Sequence, residues 1–189
     1  MTTVTTAPTA ELPDAFRPLH RREFQALVDQ GLFEGTHVEL VGGVLVEMSP
    51  QGGRHSDMIR WLTKLLVRAV GDRYDIGVQT PLAVDDLTLP EPDLQVIPAG
   101  RYLDDHPSQA LLVIEVASSS GAFDLGEKAR RYAGADYPEY WVVDIPDRRV
   151  HVHTRPEGER WRSIDEITGG VLMSSAVPSV VVDLDELFG

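Results

Sequence analysis

The chain has 189 residues, 42% of them hydrophobic and 25% charged, which is the size and composition of a single globular domain. It has no cysteine, so disulfides and thiolate metal sites are excluded, and no apolar run approaches the roughly 20 residues that span a bilayer. The net charge of −13 argues against a nonspecific nucleic-acid binder, because such proteins bind by neutralising phosphates. Without a signal-peptide pattern at the N-terminus, the sequence predicts a cytoplasmic protein with no membrane segment.

The N-terminal segment differs in composition from the rest of the chain. Residues 1–15 are rich in Thr, Ala and Pro without periodicity, and we expect them to form a disordered tail. Residues 16–189 are then predicted to form one domain. Its first element is a short helix that opens near Pro18 and ends at Gly31.

A β-hairpin and a long helix follow. Residues 37–41 and 44–48 flank Gly42-Gly43, a typical hairpin signal because both central residues of a type I′ turn need positive φ. Residues 55–70 have the apolar periodicity of an amphipathic helix. A basic stripe on another side of this helix is a candidate phosphate-contacting surface, although such a stripe is more often simply solvated. Its members are Arg60, Lys64 and Arg68.

The remainder of the chain alternates strands with one helix. A capping box, with Asp124 as N-cap and Glu127 three residues later, predicts a helix that runs to about Ala135. The predicted strands are residues 74–84, 94–97, 111–117, 140–144, 150–154 and 180–182. This order predicts an α/β domain built on a mixed sheet, with the N-terminal helix and the hairpin added to it.

One acidic residue interrupts a buried strand. Glu115 lies in the run 111–116, which otherwise has the composition of a strand buried on both faces. Burying a lone carboxylate costs several kcal/mol, so such a group must be paired, protonated or bound to a cation. Asp93 follows Pro92 and opens the preceding apolar run. If the strands 94–97 and 111–116 pair, the two carboxylates lie near the same edge of the sheet.

A lysine accompanies the two acids. Lys128 and Lys64 are the only lysines among 17 basic residues. In a chain that otherwise uses arginine, this rarity indicates that each of the two positions favours a compact ammonium over a guanidinium. Lys128 shares the apolar stripe of its helix with Leu125, Ala129 and Tyr132 and is predicted to point toward the sheet. The alternative is a surface lysine whose stem covers apolar atoms at a boundary position.

Two carboxylates with an ammonium close by are typical of an Mg²⁺-dependent phosphodiester hydrolase. Mg²⁺ takes few protein carboxylates and keeps several waters, so Asp93 and Glu115 suffice as ligands. The metal polarises the phosphate and lowers the pKa of a bound water, which Lys128 would hold or help to deprotonate. The alternative is a structural ion cluster, with Asp93 as a turn residue and Glu115 salt-bridged to an arginine.

Four segments carry a resemblance to a known family. They are Pro92-Asp93, Ile114-Glu115-Val116-Ala117-Ser118-Ser119, Asp124…Lys128…Tyr132 and Glu139-Tyr140-Trp141-Val142-Val143-Asp144. In this order they resemble the Uma2 family of endonuclease-like proteins, which belongs to the PD-(D/E)XK nuclease superfamily. The likeness extends upstream to residues 38–43 and to His55, and downstream to residues 178–184, so that it covers nearly everything after the tail.

The resemblance implies a restriction-endonuclease-like α-β-β-β-α-β core, with Asp93 and Glu115 as ligands of Mg²⁺ or Mn²⁺. The lysine that usually follows the acid by two residues would fall at Ala117, and Lys128 resembles a migrated replacement for it. Glu91 stands where such proteins often carry a basic residue, which adds negative charge beside the implied metal.

Two further residues are accessory candidates. Glu39 lies in the first strand of the predicted hairpin, where a solvated face is the simpler interpretation. His55 stands at the start of the long helix, where it would bind phosphate, help to complete the site, or act as a surface residue near the helix cap. His151 and His153 alternate on a late strand and lack a third nearby ligand, so we do not assign them to a metal.

The leading hypothesis is an Mg²⁺- or Mn²⁺-dependent endonuclease that hydrolyses DNA phosphodiester bonds by metal-activated water. The alternative is a catalytically inactive nuclease-fold module that acts as a homodimer in interaction or regulation. The net charge, Ala117 and Glu91 favour that alternative. A third and weaker hypothesis is a metal hydrolase for a small phosphorylated substrate. For the endonuclease we also expect a homodimer.

Overall fold

The computed structural model describes residues 17–118 and 121–189, and the predicted disordered tail, residues 1–15, lies outside these ranges. The helices are α1 Arg21–Asp29, α2 Gly53–Val70, α3 Gly121–Phe123, α4 Ala129–Gly134 and α5 Leu184–Phe188. The strands are β1 Val38–Val41, β2 Val44–Glu47, β3 Tyr74–Val78, β4 Leu94–Pro98, β5 Leu112–Ala117, β6 Glu139–Asp144, β7 Arg149–Glu157, β8 Arg160–Ile167, β9 Val171–Met173 and β10 Val181–Asp183. None of the described helices is both long and apolar enough to cross a membrane.

A six-stranded mixed sheet forms the centre of the fold. Its strand order is β3-β4-β5-β6-β7-β8, and β5 and β6 are its parallel pair. The other neighbours are antiparallel. Parallel neighbours need a crossover connection, which the helical segment containing α3 and α4 supplies. The predicted α-β-β-β-α-β order is therefore confirmed from α2 to β6.

Each face of the sheet carries its own hydrophobic core. On one face, α2 packs Met58, Leu62 and Leu66 against β4, β5 and β6. On the other face, Tyr132 of α4 packs with Tyr140 and other apolar side chains of the sheet. Because β5 is covered on both sides, all six of its residues are buried, including the charged Glu115.

The predicted hairpin is confirmed. Strands β1 and β2 pair around Gly42 and Gly43, whose φ angles are +61° and +78°. A Cβ atom on Gly42 would lie 2.3 Å from the guanidinium of Arg131, which Glu127 holds in place. This close approach docks the hairpin against the helical segment on one face of the sheet, and it brings Glu39 of β1 toward Lys128.

Two element predictions are wrong. The strand predicted at residues 74–84 ends at Val78, because Gln79 adopts a left-handed φ of +50°. Asp124 is not an N-cap, since residues Gly121–Phe123 before it are already helical and residues Asp124–Lys128 form a π turn. Asp124 is 2% exposed and its charge acts on buried Lys128, so electrostatics rather than capping accounts for this acid.

His153 on β7 gives the fold a predictable dependence on pH. Its ring is buried between Tyr140 and Trp161, at centroid distances of 5.2 and 5.7 Å. Burial lowers the pKa of His153 to about 4, whereas an unfolded histidine has a pKa of about 6.5. The unfolded chain therefore binds the proton first as the pH falls.

We expect the free energy of unfolding to decrease by about 3 kcal/mol through this group between about pH 6.5 and about pH 4. Urea denaturation across this range measures the slope, which should be shallower for His153→Gln. Equal slopes for the two proteins would contradict a buried neutral His153.

Candidate active site

A pocket of about 260 Å³ opens where the hairpin, the start of α2, the strands β4 and β5, and the π turn meet. The candidate residues brought together there are Glu39, His55, Asp93, Glu115 and Lys128. Asp93, Glu115 and Lys128 form the site predicted from the sequence, and Glu39 and His55 are the accessory candidates.

Asp93 stands directly before β4. The antiparallel register pairs Leu94 with Ile114, and one further step places Asp93 opposite Glu115. Its Oδ2 atom accepts hydrogen bonds from the Val116 N–H at 2.8 Å and from His55 Nε2 at 3.1 Å. Its Oδ1 atom accepts only a longer bond, 3.3 Å from Gln79 Nε2, among the described residues. One oxygen is thus held firmly and the other remains available for a ligand.

Glu115 is held in a similar way. Its Oε1 atom accepts hydrogen bonds from Lys128 Nζ and from the Tyr132 hydroxyl, both at 3.0 Å. Burial raises the pKa of Glu115 well above its usual range, and the neighbouring carboxylates of Asp124 and Asp93 add to this effect. The attraction of Lys128 acts against the rise without cancelling it. Burial and the neighbouring carboxylates therefore disfavour the ionised form of Glu115 more than Lys128 favours it.

Lys128 lies between two carboxylates. Its Nζ atom is 3.0 Å from Glu115 Oε1 and 3.0 Å from Glu39 Oε2, and the residue is 1% exposed. Burial disfavours the ammonium form, but the charges of Glu115 and Glu39 outweigh it and raise the pKa of Lys128. The side chain points inward as predicted, and the alternative of a surface lysine is wrong.

Glu39 belongs to this pocket, so the interpretation as a solvated residue is wrong. It is 1% exposed, and its Oε1 atom accepts hydrogen bonds from the Glu91 N–H at 3.1 Å and from Lys128 Nζ at 3.3 Å. A glutamate in a short apolar strand is the same signal that identified Glu115. Because β1 has only four residues, its apolar pattern was too short to indicate that Glu39 is buried.

His55 is a buried residue of the pocket rather than a surface residue near the helix cap. It is 8% exposed, and its Nε2 atom faces Asp93. Burial alone would lower the pKa of His55, but the hydrogen bond and the charge of Asp93 outweigh it and raise the pKa. His55 therefore steadies the Asp93 carboxylate, and the charge of Asp93 in turn favours the protonated imidazole.

The basic stripe of α2 lies elsewhere. All three of its residues are exposed, and none of them lines the pocket. Arg60 pairs with Asp57 at 2.9 Å, while Lys64 and Arg68 border a separate shallow groove with Trp61 and Val181. The stripe is a solvated helix face in this structure, and its predicted contact with phosphate remains a prediction.

Sequence reasoning missed several residues of the pocket. Tyr132 packs in the core as expected, but its hydroxyl also binds Glu115. Asp124 and Gln79 line the pocket, and His37 Nε2 lies 2.8 Å from Glu91 Oε2 at its rim. A one-helical-turn spacing from Lys128 could have indicated both Tyr132 and Asp124, whereas Gln79 and His37 lie far from it in the chain and leave no local signal.

The donor set of the pocket fits a hard divalent cation. Six carboxylates line it, against one lysine and two histidines: Glu39, Glu47, Glu91, Asp93, Glu115 and Asp124. No group of three or more His, Asp or Glu side chains in residues 17–118 and 121–189 converges closely enough to hold a metal alone. Mg²⁺ needs only one or two carboxylates when solvent and substrate oxygens complete its shell. Asp93 and Glu115, which both line the pocket, would hold it.

The mixed sheet, the α-β-β-β-α-β order and the acidic pocket beside β4 and β5 define the restriction-endonuclease-like class of nuclease folds. The chain belongs to the Uma2 family, whose sequence profile, described as a putative restriction endonuclease, matches residues 21–184. The predicted resemblance is thereby confirmed.

A solved structure supports the fold assignment. The crystal structure of a putative nuclease belonging to DUF820 from Anabaena variabilis matches with a TM-score of 0.74, over 90% of this chain and 98% of that one. The two sequences are 15% identical, so the likeness concerns the fold. Among curated proteins, none matches the chain.

Proposed function

We propose that this protein is an Mg²⁺- or Mn²⁺-dependent endonuclease that hydrolyses DNA phosphodiester bonds in the pocket around Asp93 and Glu115. The observation that carries the proposal is the way in which both carboxylates are held. Each has one oxygen fixed by two donors, and both residues line the pocket. Such outer partners orient metal-binding carboxylates and strengthen their ligation. Membership of a family described as a putative restriction endonuclease supports the same conclusion.

The roles of the side chains follow from their contacts. Asp93 and Glu115 would bind the cation, and His55 keeps Asp93 in place. A bound divalent cation supplies Lewis-acid activation of the phosphodiester and of the attacking water. Because its neighbours raise the pKa of Lys128, this residue stays an ammonium and stabilises charge on the phosphate rather than acting as a base. Glu39 keeps the ammonium at the wall of the pocket.

The charge of the pocket favours a second candidate function. Among the described residues that line it there is no arginine, and six carboxylates face a substrate that is itself an anion. Long polyanions are bound mainly by neutralising their phosphates, which this lining does not do. A small phosphorylated substrate, carried in with its cation, meets less repulsion. An inactive homodimeric module is the remaining alternative, and a homodimer and a cytoplasmic location remain predictions from the sequence.

Cleavage of supercoiled plasmid DNA tests the proposal. We expect the purified chain to nick DNA with Mg²⁺ or Mn²⁺ and to stop when EDTA is added. Asp93→Asn and Glu115→Gln preserve side-chain shape but remove the charge that holds the cation, so both should abolish cleavage. Glu159→Gln is a matched control at an exposed glutamate outside the pocket and should cleave normally.

Cleavage that persists in EDTA, or that survives Asp93→Asn, would contradict a metal-dependent nuclease site. Competition separates the two candidate functions. Nucleoside phosphates that abolish DNA cleavage at low concentration and are themselves hydrolysed would favour the small-substrate hydrolase.

A further inference from the structure

Gln79 adopts a backbone conformation that L-residues rarely adopt, and it does so in the wall of the pocket. Its φ angle is +50°, in the left-handed region that favours glycine and asparagine. Three other described residues that are not glycine share this feature, Asp136, Arg148 and Arg155, and none of them lines the pocket. Strained backbone at a functional site persists only where the surroundings enforce it.

The surroundings of Gln79 identify what enforces this conformation. Its backbone N–H lies 3.2 Å from the carbonyl oxygens of both Pro92 and Asp93, directly beyond the last pair of the β3–β4 ladder. Its side-chain Nε2 donates to Asp93 Oδ1 at 3.3 Å. Main chain and side chain of Gln79 are thus both directed at the segment that carries Asp93.

Gln79 supplies the contact that the other donors to Asp93 do not. His55 and the Val116 N–H both bind Oδ2, so these two contacts fix one oxygen and leave the carboxylate plane free to turn about it. Among the residues that the structure describes, the side-chain amide of Gln79 is the donor to Oδ1. An oxygen that accepts one hydrogen bond keeps a second lone pair for another partner.

We propose that Gln79 is a positioning residue for Asp93, whose amide sets the plane of the carboxylate so that Oδ1 presents its remaining lone pair to a divalent cation. The left-handed backbone is the strain that places this amide. The inference rests on the proposed function, because it takes Asp93 as a ligand of the cation.

Two variants separate a positioning role from a structural one. Gln79→Asn tolerates the left-handed conformation, but its amide is one methylene too short to keep the contact with Asp93. Gln79→Gly also relieves the strain and removes the side chain. We expect both variants to have a thermal unfolding midpoint equal to or above that of the unaltered chain. Both should weaken Mn²⁺ binding, measured by calorimetry, by about 10-fold or more.

Arg155→Asn is the matched control. Arg155 is exposed, lies outside the pocket and has a φ of +58°, so this change relieves the same kind of strain elsewhere. It should not lower the unfolding midpoint and should leave the Kd for Mn²⁺ unchanged.

The outcomes are distinct. Weaker Mn²⁺ binding in both Gln79 variants, with stability retained and the control unaltered, supports the positioning role. An unchanged Kd in the two variants overturns it, whether or not their stability falls, and leaves the proposed function standing. Absence of Mn²⁺ binding in the unaltered chain overturns both proposals together.

Discussion

Lys128→Met is expected to lower the free energy of unfolding by about 3–5 kcal/mol at pH 7, because it leaves two buried carboxylates without their cation. Glu39 and Glu115 are 1% and 4% exposed, and both contact the ammonium at about 3 Å. Methionine fills much of the volume of the lysine stem, so the loss reports charge rather than packing. Chemical denaturation followed by circular dichroism measures it.

Lys64→Met is the matched control for this change, because Lys64 is the other lysine of the chain and is exposed on α2. We expect it to alter the free energy of unfolding by less than about 0.5 kcal/mol. A Lys128→Met protein as stable as Lys64→Met would show that the pocket does not depend on its ammonium.

The loss of stability in Lys128→Met should also depend on pH in a definite direction. Removing the ammonium raises further the already raised pKa of Glu115, so the folded chain holds this proton to higher pH than the unfolded chain. Stability of Lys128→Met, relative to the unaltered chain, should therefore recover as the pH falls through the folded pKa and decline as it rises. Adding Glu39→Gln to Lys128→Met removes one of the two unpaired charges and should restore part of the loss.

Glu139→Gln is expected to lower the free energy of unfolding by about 3 kcal/mol, although this residue lies outside the pocket. Oε1 accepts from Trp141 Nε1 at 2.7 Å. Oε2 accepts from the Ser174 and Ser175 hydroxyls and from the Ala176 N–H, at 2.7, 3.0 and 2.8 Å. A glutamine amide has one acceptor oxygen, so its NH₂ group must face donors on one side or the other.

Chemical denaturation measures this loss, and Mn²⁺ calorimetry on the folded variant should return the Kd of the unaltered chain. Glu159→Gln, at an exposed glutamate paired with Arg130, should cost less than about 1 kcal/mol. Equal stability of the two variants would contradict the role of Glu139 as the buried anchor of the segment before β10.

The central part of the site could be predicted because its signals are local. A glutamate inside a fully apolar strand is costly wherever it lies, so Glu115 alone indicated a paired or metal-bound carboxylate. The helical periodicity around Lys128 then gave the direction of the ammonium. The pairing of β4 with β5 supplied the position of Asp93, and the order of the elements gave the mixed sheet.

The remaining parts depend on contacts between distant segments. Glu39 is buried because the two-stranded hairpin docks against Arg131, and the sequence of the short strand β1 gives only a weak signal of this burial. The left-handed turn at Gln79 is set by carbonyl groups of Pro92 and Asp93, more than ten residues away. The strand β8 was missed because it is an edge strand with mostly exposed residues, so it lacks a sharp alternation of apolar and polar side chains.

Calorimetric titration of the purified chain with Mn²⁺ tests the acidic pocket most directly. We expect a single ion to bind per chain, and we expect Asp93→Asn and Glu115→Gln each to abolish this binding while Glu159→Gln preserves it. Absence of binding in the unaltered chain, or binding that neither pocket variant changes, would contradict the assignment of Asp93 and Glu115 to a divalent metal site.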